Sequence, residues 1–109
     1  MPYRAFYCCY STGEVVESAD AYDIELDEAR NLVTDMLRSE NDFFGLIDDR
    51  GTTIQFMRTG DNAWLEIPAP DQGGSYGKTI PIQEVREVIK SLPDPIDATA
   101  FGDLKFEAW

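Results

Sequence analysis

The 109-residue chain contains no histidine. That removes the side chain most often used as a general base near neutral pH, together with Ser-His and Cys-His nucleophile pairs and most catalytic zinc sites. Positive charge is scarce as well: 9 Lys and Arg face 21 Asp and Glu, for a formal net charge of -12. A surface of that sign repels nucleic acid and anionic membranes and attracts basic proteins. The only two cysteines, Cys8 and Cys9, are adjacent. Alternation along a strand sends them to opposite faces, so they are expected to stay reduced, with one of them in the core. Two thiols without histidine match no standard zinc spacing. No run approaches the roughly 20 apolar residues of a membrane helix, and residues 1–10 lack the apolar stretch and cleavage site of a secretion signal. A cytosolic location is the resulting expectation.

What is present suffices for one core. Hydrophobic residues make up 43% of the chain and aromatic residues 12%, which separates it from a disordered acidic tail. No internal repeat, low-complexity run or long linker divides it, so residues 1–109 are expected to form a single domain. Residues 3–10 read as an aromatic-rich strand, 11–13 as a turn, and 14–17 as a segment that pairs back. Asp27 is a candidate N-cap for a helix in which Ala29, Leu32, Val33, Met36 and Leu37 recur at helical spacing. Residues 43–47, 52–58 and 63–67, separated by two polar turns, form an antiparallel meander. Alternation there puts Ile54, Phe56, Leu65 and Ile67 in the core and turns Gln55, Met57, Trp64 and Glu66 the other way. Residues 68–77, dense in proline and glycine, read as a loop, followed by a short strand at 78–80. A second helix starts near Pro81 with Ile82, Val85, Val88, Ile89 and Leu92 inward, and residues 104–109 alternate as a last strand. The expected fold is α+β: an antiparallel sheet of about five or six strands with two helices packed on one face.

The negative charge is also local. Residues 14–42 hold ten of the acids and only Arg30 and Arg38, so one face or edge should carry most of the field. Such a field raises association rates with a cationic partner by roughly 10 to 1,000-fold and fades with salt. It also keeps a cytosolic domain soluble, and charge alone does not separate the two roles.

Two motifs invite chemical readings. Residues 72–79, QGGSYGKT, nearly match a phosphate-binding loop, but Gln72 replaces the first glycine and Pro81 follows too closely for a helix to open on the phosphate. A glycine-bearing loop that exposes Tyr76 to a partner is the better reading. Asp48 and Asp49, with Asp42 or Asp61, offer carboxylates for Mg²⁺ or for a glycosidase-like acid and base pair. Adjacent aspartates before Arg50 and Gly51 are equally ordinary turn formers.

The stretches GLIDDRGTTIQFM from Gly45, AWLEIP from Ala63, GGSYGKTIP from Gly73 and IQEVREVIKSL from Ile82 together resemble the immunity proteins of bacterial polymorphic toxin systems, in particular the first-numbered family of that set. The likeness covers about half of the chain. It implies a small cytosolic antidote, encoded beside a toxin, that binds the toxin domain and blocks it. Many such toxins are nucleases or deaminases with basic substrate-binding surfaces, which fits the charge. On this reading the protein is a noncatalytic inhibitor with no cofactor and no metal, whose partner is a cognate basic toxin domain. Glu17, Asp20 and Asp23 would steer that partner, Asp48, Asp49 and Asp61 would meet it on the turns, and Tyr22 and Tyr76 would anchor it. Two readings from other classes stand beside it: an acidic DNA mimic that inhibits a nucleic-acid-binding protein, and a small carboxylate-site enzyme.

Overall fold

Period-two alternation becomes an antiparallel sheet in the computed structural model, which describes residues 3–93 and 95–109. The strands are β1 (Tyr3–Cys9), β2 (Glu14–Val16), β3 (Tyr22–Ile24), β4 (Phe43–Ile47), β5 (Thr53–Thr59), β6 (Asn62–Ala69), β7 (Gly74–Pro81) and β8 (Lys105–Ala108). Their order is β2-β1-β4-β5-β6-β7-β8, with β3 on the same side of β1 as a second partner. Two helices, α1 (Leu26–Met36) and α2 (Val85–Lys90), complete an α+β fold.

The sheet has eight strands, not the five or six expected. One strand was not foreseen, and two others are longer than expected. The three-residue β3 pairs Tyr22, Asp23 and Ile24 with Ala5, Arg4 and Tyr3, and three residues are too few to display alternation. The difference in length lies at 68–77, where strand replaces all of the expected loop but its turn at 70–73. β6 runs on to Ala69, a single 3-10 turn at Pro70–Gln72 reverses the chain through Gly73, and β7 starts at Gly74. Pro68 is tolerated because pairing with β5 ends at Glu66, so this part of β6 has one free edge. Gly77 is there for close approach, since a Cβ at that position would collide with the Trp64 ring and the Leu65 carbonyl.

One face of the sheet holds the core. Tyr3, Ala5 and Cys9 of β1 lie beside Phe44 and Leu46, then Ile54 and Phe56, then Ala63, Leu65 and Ile67, and these form one buried cluster with Ala29, Val33, Met36, Val85 and Ile89 of the helices. All four expected core residues of the meander are buried. Each fully buried Leu, Ile or Phe contributes about 1.5–3 kcal/mol of transfer free energy, so the cluster is the main source of stability. Helix α1 begins two residues earlier than the Asp27 cap predicted: Glu25 is the N-cap, and Glu28 reaches back to accept its backbone N–H at 3.3 Å. Asp27 and Glu28 thus fall in the first turn, where the helix dipole favours negative charge. Helix α2 is only six residues long, preceded by a 3-10 turn at Ile82–Glu84. Pro93 lies just beyond its Ser91 cap, where a helix cannot continue.

The other face carries no helix. Phe6, Cys8 and Ile47 are buried there but stand outside the main cluster. Cys8 and Cys9 are both buried free thiols on opposite faces, and Cys9 is the one in the main core cluster. No helix among the described residues is long and apolar enough to cross a membrane.

Candidate interaction surface

The acidic stretch is gathered at one end of the molecule by the pairing of β1. Its outer side takes β2 opposite residues 7–9 and β3 opposite residues 3–5, with the 3-10 turn Ser18–Asp20 between them. Helix α1 then leaves β3 through Glu25 alone. Glu14, Glu17, Asp20, Asp23, Glu25, Asp27, Glu28 and Asp35 are therefore exposed around one edge. Their cations are few: Arg30 lies 3.5 Å from Asp27, Arg38 lies 3.9 Å from Asp35, and Arg4 stands opposite Asp23 across the β1-β3 pair. Surface pairs of this kind are worth about 0–1 kcal/mol and leave the field unneutralised.

Between β3 and α1 runs a groove of about 410 Å³, lined by Glu28 and Asp35 of α1 with Ile24 and Leu32, while the Asp23 side chain alternates away from it toward Arg4. Tyr22 lines it too. Its hydroxyl meets that of Tyr7 at 3.2 Å, and the two rings pack edge to face at 6.3 Å. Burial, then the Tyr7 hydroxyl, push the Tyr22 phenol up to about 12. The groove therefore presents fixed negative charge with an apolar floor and a neutral phenol, which suits an ammonium or guanidinium group with an aliphatic stem.

Glu17, Asp20, Tyr22 and Asp23 thus fall together, and the other candidates do not join them. Asp48 is 1% exposed, so it is removed from any contact surface. Its Oδ1 accepts the backbone N–H groups of Arg50 and Thr52, both at 2.9 Å, and its Oδ2 accepts that of Ile96 at 2.8 Å. It is a structural clamp that ties the β4-β5 turn to the segment after α2. Asp49 stays exposed in that turn, at the end of β4 that pairs with Arg4, whereas Asp61 is exposed in the β5-β6 turn at the opposite end. Tyr76 is no loop tip. It lies within β7, half-buried, packed on Phe106 at 5.1 Å with its hydroxyl donating to Gln72 Oε1 at 2.6 Å.

Asp42, counted with the acidic stretch, is also fully buried. Burial raises its carboxyl pKa, but the backbone N–H groups of Tyr10, Ser39 and Arg38 and the Ser39 hydroxyl outweigh that and hold it below the usual value. The carboxylates Asp42 and Asp48 are consumed by backbone donors, so neither is free to serve as a base or ligand. Among the described residues no group of three or more Cys, Asp and Glu is placed to hold a metal ion.

No protein-family model, curated protein or solved structure matches this chain. The resemblance to the immunity family thus rests on the quoted residues alone. The helix-free sheet face was not singled out in the sequence as a site, although alternation already set Met57, Trp64 and Glu66 together on it. What alternation could not reveal is that Gly45 and Gly77 let aromatic rings settle onto the sheet.

Proposed function

We propose that this protein is a noncatalytic, cytoplasmic immunity protein that binds and neutralises a cationic toxin domain of nuclease or deaminase type. The acidic edge is the observation that carries the reading: eight exposed carboxylates stand around β2, β3 and α1 with three arginines, Arg4, Arg30 and Arg38, among them. In the chain as a whole acids exceed bases by 12. The edge steers a basic surface toward the molecule, and the groove between β3 and α1 receives one of its side chains. The closure of Asp48 and Asp42 by backbone donors weighs against the carboxylate-site enzyme. A body of 35 × 31 × 24 Å is not elongated, which weighs against the DNA mimic.

The test is co-expression with the toxin domain encoded next to this gene, followed by size exclusion and kinetic measurement of the complex. A stoichiometric complex and restored growth are expected. The variant E17Q/D20N/D23N should fold normally, associate about tenfold more slowly at low salt and show a flatter salt dependence. Wild-type association by that variant at low salt would reduce the edge to a solvated surface.

A further inference from the structure

The helix-free face of the sheet holds a pocket of about 220 Å³ lined by Phe43, Gln55, Met57, Trp64 and Glu66. Its construction follows from strand register. Phe43, Met57 and Trp64 are direct neighbours across β4, β5 and β6, and one step along the strands lie Gly45, Gln55, Glu66 and Gly77 in the same order. The two glycines flank the two polar residues. The Phe6 ring occupies the space over Gly45, and the Trp64 ring occupies the space over Gly77. Side chains at either position would stand up from the sheet. Without them, Phe43 and Trp64 line the space above the Gln55-Glu66 pair.

Glu66 is held still. Its Oε1 accepts from Gln55 Nε2 at 2.9 Å and its Oε2 accepts from Ser75 Oγ at 2.7 Å. A carboxylate offers about four acceptor sites, so each oxygen keeps one unused. Among the described residues no cation pairs with it: Arg30, Arg38 and Lys78 form the ion pairs of the molecule, and Lys105, on the same face, stands two strands away.

We propose that this pocket receives one arginine side chain of a basic partner, its guanidinium forked onto the two free acceptor sites of Glu66 and its plane against Trp64. The proposal rests on the proposed function in taking the partner to be cationic. Guanidinium chemistry fits each part: its planar fork matches a carboxylate two bonds at a time, it packs on aromatic faces, and its aliphatic stem suits Phe43 and Met57. An apolar anchor would bury the Glu66 charge unpaired, which is costly. A second copy of this chain is opposed by the -12 charge each copy carries.

The probe is N-acetyl-arginine amide, titrated into the protein while the Trp64 indole N–H and the Met57 methyl are followed by NMR. The neutral isostere N-acetyl-citrulline amide is the comparison, and the indole of Trp109 is an internal control. Saturable shifts at Trp64 and Met57 are expected, with binding at least about tenfold weaker for citrulline and for the E66Q variant, since a charge-assisted pair is lost in both. No saturable shift at Trp64, or equal binding of citrulline, would overturn the proposal without touching the acidic edge, which E17Q/D20N/D23N tests separately. In the toxin complex, E66Q should speed dissociation about tenfold and leave the salt dependence of association unchanged. A change confined to association would refute an anchoring role.

Discussion

Replacing Asp42 tests whether the acids of this chain divide into structural and steering groups. The side chain joins three elements: Oδ1 accepts the Tyr10 N–H after β1 at 2.9 Å, and Oδ2 accepts the Arg38 N–H at 3.0 Å, the Ser39 N–H at 2.8 Å and the Ser39 hydroxyl at 3.0 Å after α1. Asp42→Ala strands three backbone donors, each worth about 1–3 kcal/mol when left unsatisfied. With some water entry the loss should reach about 3–6 kcal/mol, a large part of the roughly 5–15 kcal/mol that holds a domain of this size folded. Asp42→Asn keeps the volume and one oxygen. Oδ2 has the larger load, so the amide oxygen takes that side and the NH₂ faces the Tyr10 N–H, donor against donor, for a loss of about 1–3 kcal/mol. Urea unfolding followed by Trp fluorescence measures both.

The pH dependence sharpens the test. The folded carboxyl pKa lies below the usual value, so its stabilisation is fully present above the unfolded value near 3.9 and is lost as pH falls through the folded one. The gap between wild type and Asp42→Asn should therefore be widest at neutral pH and close in acid below about 4. If Asp42→Asn stays within about 0.5 kcal/mol of wild type at neutral pH, the range of an ordinary surface change, the reasoning is refuted.

Two further outcomes are expected. Because the Tyr22 phenol is pushed up to about 12, its contribution to stability is present below the ordinary tyrosine value and is lost as pH rises through that window. A stability profile at alkaline pH should show a step that disappears in Tyr22→Phe, and a step that persists would mean another tyrosine is responsible. Tyr76→Ala should increase hydrogen exchange in β8, whose strand it holds through Phe106, while leaving toxin dissociation unchanged; an effect on dissociation alone would return Tyr76 to the interface.

The residue pattern by itself determined the class of elements and the core. Meander residues 53–67 alternate over long enough runs that Ile54, Phe56, Leu65 and Ile67 had one face to enter, and the spacing from Ala29 to Leu37 admitted only a helix with one buried stripe. The sign of the surface was equally plain from composition. Three things depended on the tertiary structure. β3 exists because β1 offers its edge, and three residues carry no periodic signal of their own. Prolines and glycines at 68–77 looked like loop chemistry, yet only Pro70 and Gly73 keep the turn, while a free strand edge at Pro68 and the ring over Gly77 allow these two to be strand residues. Finally, an aspartate in the sequence is only a charge. Whether it stays in water, as Asp20 and Asp23 do, or closes a turn like Asp42 and Asp48 depends on which backbone N–H groups the fold aims at it, because a buried carboxylate persists only where such donors replace its water.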